Sequence, residues 1–180
     1  DCVTFGVAPS AMLFSLFSKV AYPSFMANEL VFEVMPFTAF LMAAFSALRL
    51  AKFNIDERQH TGFIGMPTPA NAIFWGALIA SSEEWLTGPR FNAFFLFLFM
   101  MLFCLLLVCE VPMFAFKSLS WKKEKVKFLF LGLSAVILVV GAISGVAEGN
   151  VWIGLIRGVA ECIGLYVVMS ILASVLPGKE

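Results

Sequence analysis

The chain has 180 residues, of which 61% are hydrophobic and only 13% are charged. Soluble domains are usually about half apolar and about one-quarter charged, so this composition argues against an ordinary soluble globular protein. Twelve basic and twelve acidic residues cancel, and the mean hydropathy is +0.96. The charge balance therefore gives no support to nucleic-acid binding, and we expect no nucleic-acid partner. The repeated apolar runs predict several helices in a lipid bilayer.

Apolar segments along the chain predict an all-α, polytopic bundle of about six transmembrane helices. In chain order they are Phe5–Tyr22, Val34–Leu50, Ala70–Ser82, Phe91–Phe116, Phe128–Val146 and Val151–Leu176. About 20 apolar residues are needed to cross the hydrocarbon core. The second segment is near the lower limit of length, and the third, Ala70–Ser82, is the least suited to crossing.

The charges of the connecting segments test this count, because cytoplasmic loops are enriched in Lys and Arg. Basic residues collect in alternate connections, at Arg49, Lys52, Arg58, Lys117, Lys122, Lys123, Lys125, Lys127 and Lys179. The other connections hold Glu29, Glu33, Glu83, Glu84 and Glu148, with Arg90 as their basic residue. The alternation requires all six segments to cross, and it predicts that Asp1, Arg49 and the C-terminus share the cytoplasmic side.

A basic stretch divides the chain into two parts. Residues 1–116 carry the polar motifs, residues 117–127 form a predicted basic cytoplasmic loop, and residues 128–180 form a predicted transmembrane hairpin without a chemical motif. The chain opens inside a motif at Asp1, so we expect it to be the C-terminal part of a longer protein.

The first polar segment is Asp1–Ser10, which reads DCVTFGVAPS. An acid at the mouth of a helix, followed by Thr4 and several small residues, is unusual for a helix that faces only lipid. Small residues allow close helix contact, and Thr4 can offer a hydroxyl to a polar cavity. From these residues alone a simpler interpretation is open, in which Asp1 marks the membrane edge of an ordinary packed helix.

The second polar segment joins Ala47–Asn54 (ALRLAKFN) to Gly62–Ala70 (GFIGMPTPA). Arg49 and Lys52 are three residues apart and are predicted to project from one face of a helix end. With Asn54, beside a loop rich in Gly and Pro, they can hold an anion such as a phosphate or a carboxylate. Basic residues at a helix end also anchor helices in the membrane, and the residues alone favour that interpretation.

Together these segments resemble the phosphatidylserine synthase branch of the CDP-alcohol phosphatidyltransferase family. The family signature is D-G-x-x-A-R-x8-G-x3-D-x3-D, and in the serine-specific branch its last Asp is followed by a run similar to x-V-S-F-G-V-A-P. Residues Asp1–Pro9 resemble that run, with Thr4 in the Ser position. The branch also carries A-L-R-L-A-R-F-N and F-I-G-L-P-S-P-A, which Ala47–Asn54 and Phe63–Ala70 resemble, with Lys52 in place of Arg.

The resemblance implies an enzyme that transfers the phosphatidyl group of CDP-diacylglycerol to L-serine and releases CMP. It makes Asp1 the last aspartate of the signature and the general base, because a positioned carboxylate can accept the proton of the serine hydroxyl. It also implies Mg²⁺ or Mn²⁺ as cofactor, with Asp1 as a ligand of a second metal ion and the other ligands upstream of the chain. We therefore expect the 180 residues alone to be inactive.

The same resemblance implies that Thr4, Arg49, Lys52 and Asn54 bind substrate in a cavity that opens to the cytoplasm. Arg49 would contact an anion, either the carboxylate of the acceptor or a substrate phosphate. Lys52 keeps the positive charge of the family's arginine but loses its bidentate fork. The implied setting is the cell inner membrane, and the implied assembly is a homodimer.

Two other functions are open at this stage. The first is a phosphatidyltransferase of the same family with a different acceptor, glycerol phosphate or inositol phosphate. The second is a transporter or a non-catalytic membrane scaffold. A transporter is expected to show paired repeats and helices broken near the bilayer midplane, and the sequence shows neither feature.

Charged residues inside the apolar segments have structural interpretations. Arg157 and Glu161 are four residues apart in the last segment, and they predict either a structural pair or a contact with a neighbouring helix. Glu110 lies near the end of the fourth segment. It is predicted either to face the cavity or to pair with Lys117 or a lipid amine.

Overall fold

The computed structural model describes residues 1–55, 63–113 and 125–175. Over these ranges the protein is helical apart from one short ladder of two strands, so the all-α prediction is confirmed. Within these ranges, three helices are long and apolar enough to cross a membrane: Glu29–Ile55, Val126–Ala147 and Val151–Val175. Two further apolar helices are shorter, Val3–Phe17 and Ala93–Val108. The fold is compatible with a membrane protein, but the prediction of six transmembrane helices is not confirmed.

The N-terminal helix is shorter than the predicted segment Phe5–Tyr22. It begins as a π-helical turn, Val3–Val7, and continues as α1, Ala8–Phe17. The chain then turns and becomes extended at Pro23. Proline disfavours the helical conformation of the residue before it, so the helix cannot continue through this point.

The second predicted span lies within a longer helical segment. It consists of α2, Glu29–Val34, a 3₁₀ turn, Met35–Phe40, and α3, Leu41–Ile55. Asn28 caps the start, where its side-chain oxygen accepts a hydrogen bond from Leu30 N at 3.2 Å. The predicted span Val34–Leu50 therefore identified the helix but was too short at both ends.

The next two helices carry most of the core. α4, Thr68–Leu86, bends at Ser82, where the backbone is non-helical (φ −137°, ψ 21°). α5, Ala93–Val108, begins at Asn92, whose side chain accepts a hydrogen bond from Phe95 N at 3.1 Å. Aromatic rings join the two helices: Phe74 stacks on Phe103, with ring centroids 4.3 Å apart, and Trp75 contacts Phe99 and the same Phe103.

The fourth predicted segment, Phe91–Phe116, extends too far at its C-terminal end. The backbone of Cys109 is extended, and Pro112–Met113 form strand β2. This strand pairs antiparallel with β1, Phe63–Ile64. Pro112 removes a helical N–H donor and disfavours helical geometry before it, which explains the early end of α5. The hydrogen-bonded pairing of β1 with β2 holds the loop before α4 against the segment that follows α5.

The last two helices form the predicted C-terminal hairpin. They are α6, Lys125–Ala147, and α7, Val151–Val175, joined by a turn in which Gly149 has φ +84°. Residues 117–124 of the predicted basic loop lie outside the described residues. Helix α7 also packs along α4, so the hairpin contacts the part of the chain that carries the motifs.

Glycines set the spacing of this hairpin. A Cβ built on Gly141 would lie 2.6 Å from the carbonyl oxygen of Gly154. A Cβ on Gly154 would lie 2.7 Å from the backbone nitrogen of Gly145. Both distances are shorter than a carbon can tolerate, so the two backbones touch only because these positions lack side chains.

The outer face of α6 is apolar and exposed. Val139, Val140, Ile143 and Val146 each expose more than half of their surface. A soluble monomer rarely presents such a continuous apolar surface, whereas a lipid-facing helix does. This exposure agrees with the membrane assignment that the composition predicts.

Arg157 pairs with Glu148 and not with Glu161. Its Nη1 and Nη2 donate hydrogen bonds to the two carboxylate oxygens of Glu148, both at 2.9 Å. Helical side chains point toward the N-terminus of their helix, so Arg157 reaches back to the α6–α7 turn and away from Glu161. The predicted pair with Glu161 was therefore wrong, and the partner of Arg157 lies in the turn directly after α6.

This ion pair makes the stability of the hairpin depend on pH. The hydrogen bond from Arg157 lowers the pKa of Glu148 below its ordinary value. A carboxyl group whose pKa is lowered in the folded state contributes stability above its unfolded pKa, and that stability is lost as pH falls through the folded pKa. We expect the midpoint temperature of unfolding to decrease as the pH is lowered from about 6 to about 3.

The Glu148→Gln variant is expected to start from a lower thermal midpoint at neutral pH and to change less over the same acidic range. Thermal unfolding of both proteins in one detergent, as a pH series, measures the difference. Other carboxylates contribute equally to both proteins, so only the difference reports on Glu148. Parallel curves would show that the pair with Arg157 contributes nothing.

Candidate functional site

A cavity of about 390 Å³, with both polar and apolar lining residues, lies at the end of the bundle where the chain begins. We call it the Asp1 cavity. Its wall is formed by Asp1, by the C-terminal end of α3 with Arg49 and Asn54, and by Pro67–Pro69 at the start of α4. Three predicted site residues, from two separate segments of the chain, thus line one cavity.

Arg49 supplies a fixed positive charge to this cavity. The residue is only 3% exposed. Its Nε donates a hydrogen bond to the carbonyl oxygen of Met66 at 3.4 Å, and its guanidinium carbon lies 5.4 Å from the centroid of the Phe53 ring. Arginine remains protonated even when buried. The wall of the Asp1 cavity is therefore suited to a carboxylate or a phosphate.

The loop that contacts Arg49 is held by the end of α5. Met66 N donates to Leu106 O at 2.8 Å, and Gly65 N donates to Val111 O at 2.9 Å. Gly65 has φ +76°, and a Cβ there would lie 2.7 Å from Cys109 O. Glycine alone accommodates both this conformation and this spacing. The Gly in the motif therefore sets the path of the loop that presents the Met66 carbonyl to Arg49.

The start of α4 adds to the favourable field for an anion. Pro67 is the N-cap residue and makes no side-chain capping bond, and Thr68 is buried beside it. Unsatisfied N–H groups and the helix dipole give a helix N-terminus partial positive charge. Asp1 lines the same cavity and is exposed, so the wall carries one carboxylate and one guanidinium among neutral residues.

Two predicted site residues lie elsewhere. Lys52 Nζ is 3.2 Å from Glu110 Oε1 and donates to Val108 O at 3.3 Å, so it interacts with the C-terminal end of α5. A cation is favourable there because the last carbonyls of a helix carry partial negative charge. Glu110 accordingly pairs with Lys52. Thr4 is exposed on the π-helical turn and does not line the Asp1 cavity.

Sequence reasoning missed two buried polar residues near the cavity. Ser46 precedes Arg49 by one helical turn, and Asn71 follows Thr68 by one turn. Both are essentially inaccessible, and neither Ser46 Oγ nor Asn71 Oδ1 has a hydrogen-bond partner within the described ranges. Buried polar atoms are normally satisfied, so this pair marks an unusually polar stretch of the core. An Asn within an apolar helix was the available signal.

The described residues do not complete a metal site. Within residues 1–55, 63–113 and 125–175, no three side chains of the types His, Cys, Asp and Glu come together as a ligand group. Mg²⁺ is usually held by one or two carboxylates together with substrate phosphates and water. Asp1 fits the role of one such ligand, and the set as a whole does not fit a two-metal centre.

A second and larger cavity, of about 920 Å³, opens at the opposite end of α4. We call it the Glu84 cavity. It is formed by residues 81–85 at the bend of α4, by Glu148 and Asn150 in the α6–α7 turn, and by Arg157. At 1.5 Å per residue it lies roughly 20 Å along α4 from the Asp1 cavity. No pattern in the sequence indicated that these residues meet.

No protein-family model, curated protein or solved structure matches this chain. We therefore infer the function of this protein from the two cavities, from their charges, and from the motifs at Asp1–Ser10, Ala47–Asn54 and Phe63–Ala70.

Proposed function

We propose that this protein transfers the phosphatidyl group of CDP-diacylglycerol to L-serine and releases CMP, as a phosphatidylserine synthase of the CDP-alcohol phosphatidyltransferase family. One observation carries the proposal: Asp1, Arg49 and Asn54 line the same cavity. These three residues come from the segments whose sequences resemble the serine-specific branch. The sequence resemblance and the shared cavity thus support the same proposal.

The reaction needs a group that accepts a proton. The serine hydroxyl oxygen forms a bond to the β-phosphorus of CDP-diacylglycerol, and the bond from that phosphorus to the CMP oxygen breaks, so CMP leaves with the electron pair. The hydroxyl proton passes to the carboxylate of Asp1. A hydroxyl is a weak nucleophile near neutral pH, and a positioned base accelerates such a step by about 10²–10⁴-fold. Asp1 is exposed at the cavity and can return the proton to water.

The reaction also needs positive charge near the diphosphate of CDP-diacylglycerol and the carboxylate of serine. Arg49 and the N-terminus of α4 provide it, and they bind either the carboxylate of serine or a phosphate of the lipid substrate. Asn54 can donate and accept hydrogen bonds at the same wall. Mg²⁺ or Mn²⁺ is the proposed cofactor, with Asp1 as one ligand. The proposed setting is the inner membrane, with the Asp1 cavity facing the cytoplasm and the protein acting as a homodimer.

The test is an acceptor comparison. The protein, expressed with its natural flanking sequence, is placed in detergent–lipid micelles with CDP-diacylglycerol and Mn²⁺ or Mg²⁺. CMP release is then followed with L-serine, glycerol 3-phosphate or inositol phosphate. Release that depends on serine is expected. Release with another acceptor would keep the reaction class and overturn the serine assignment. Folded protein that releases no CMP with any acceptor would favour a scaffold or transporter.

Arg49 and Lys52 are expected to differ in their effect on this reaction. Arg49→Lys removes the bidentate fork from the wall of the Asp1 cavity. It should raise about tenfold the KM of the substrate whose carboxylate or phosphate Arg49 binds. Lys52→Arg retains the charge at the end of α5 and should leave both KM values within about twofold. Parallel KM measurements for serine and CDP-diacylglycerol test the difference. Equal effects of the two substitutions would contradict the assignment of Arg49 to the cavity and Lys52 to α5.

A further inference from the structure

The Glu84 cavity adjoins an apolar groove. The groove has a volume of about 590 Å³ and is formed by α4 and α5, with Leu78, Phe95 and Leu102 among its lining residues. Trp85 lines both the groove and the Glu84 cavity, and 58% of its surface is exposed. A polar cavity and an apolar groove that share one side chain fit a molecule with a polar head and an apolar chain. Tryptophan is suited to this junction, because one molecule can contact its apolar ring and its polar edge.

Among the described residues, the carboxylates that line the Glu84 cavity outnumber the cations that pair with them. Three carboxylates line it, from Glu83, Glu84 and Glu148. Glu83 forms an ion pair with Lys19, and Glu148 forms one with Arg157. For Glu84 the described part of the chain supplies no ion-pair partner. One negative charge in the cavity is therefore available to a cationic group of a ligand.

A positive charge lies next to the groove. Arg90 is exposed and directly precedes Phe91, whose ring centroid is 5.4 Å from that of Trp85. Phe91 itself lines the groove. An anionic group beside Arg90 would thus be close to an apolar chain in the groove, and Glu84 in the adjoining cavity is suited to a cationic group of the same molecule. This combination of one anionic group, one cationic group and an apolar chain is that of a zwitterionic phospholipid.

We propose that the Glu84 cavity and the adjoining groove bind a zwitterionic phospholipid whose headgroup ends in a primary ammonium, as in phosphatidylethanolamine. The ammonium donates hydrogen bonds to the carboxylate of Glu84, the phosphate lies near Arg90, and one acyl chain occupies the groove beside Trp85. A quaternary ammonium has no N–H to donate, and an anionic headgroup without an amine is repelled by Glu84. The site is at the other end of α4 from Asp1, so it is independent of the proposed reaction.

The experiment measures lipid selectivity of the purified protein. Native mass spectrometry compares bound phosphatidylethanolamine, phosphatidylcholine and phosphatidylglycerol with identical acyl chains. We expect phosphatidylethanolamine to bind about tenfold more tightly than the other two, as for loss of one charge-assisted hydrogen bond. Glu84→Gln should reduce this preference to within about twofold. Glu33→Gln, which removes an exposed carboxylate outside both cavities, should preserve it.

The outcomes are decisive in both directions. Equal binding of the three lipids, or a preference that Glu84→Gln leaves unchanged, would overturn the proposal. A preference for phosphatidylglycerol would also overturn it and would indicate a site governed by Arg90. If Glu84→Gln does not fold, the unaltered protein is titrated with phosphatidylethanolamine carrying one, two or three N-methyl groups. Affinity that falls as methyl groups replace N–H donors supports the proposal, and a flat series contradicts it.

Discussion

Asp1→Asn is expected to lower serine-dependent CMP release by about 10²–10⁴-fold, with little change in the binding of CDP-diacylglycerol. Asparagine has nearly the size of aspartate but cannot accept a proton near neutral pH. The rate of CMP release at saturating serine measures the effect, on protein with its natural flanking sequence. Glu33→Gln is the matched control, because it makes the same chemical change at an exposed position outside the Asp1 cavity.

Two roles of Asp1 can be distinguished in the same assay. If Asp1 is the general base, the rate of CMP release by the unaltered protein rises with pH, and the rate of the Asp1→Asn variant lacks that rise. Loss of a metal ligand instead raises the concentration of Mn²⁺ or Mg²⁺ needed for half-maximal rate. An Asp1→Asn variant that releases CMP at the unaltered rate would contradict both roles, and with them the alignment of Asp1–Pro9 to the family signature.

Gly154→Ala is expected to destabilise the α6–α7 hairpin by about 1–3 kcal/mol. The new methyl group would meet backbone atoms of Gly145 at 2.7 and 2.8 Å, and the backbone of Gly141 is closer still. Backbone atoms cannot move aside as a flexible side chain can, so the two helices must separate. Because α7 also packs along α4, the separation reaches the motif-bearing part of the bundle. Denaturant or thermal unfolding in detergent measures the loss.

Gly164→Ala is the control for this prediction, since it makes the same substitution in the same helix. A Cβ on Gly164 meets no atom within 4 Å. Replacing a helical glycine by alanine lowers backbone entropy in the unfolded chain and should stabilise the protein by about 0.5–1 kcal/mol. The two substitutions are therefore expected to have opposite signs. Equal unfolding midpoints would show that α6 and α7 do not approach as closely as described.

The Asp1 cavity was only partly predictable from the sequence. The spacing of Arg49 and Lys52 correctly placed both on α3, since i and i+3 residues are neighbours on a helix. It did not reveal which element each side chain would meet. Arg49 is buried against the loop before α4, whereas Lys52 reaches the end of α5 and Glu110. That difference depends on how three separate elements pack, which no local pattern encodes.

The sequence by itself determined that this protein is helical and apolar enough for a membrane, because hydrophobic runs and their length act locally. It also located the motifs at Asp1–Ser10 and Ala47–Asn54. The tertiary structure decided where α5 ends, through the pairing of β2 with β1, and which acid Arg157 bonds. It alone formed the Glu84 cavity, from α4 and the α6–α7 hairpin. Such features require residues far apart in the chain to meet, and their meeting is set by packing of whole helices.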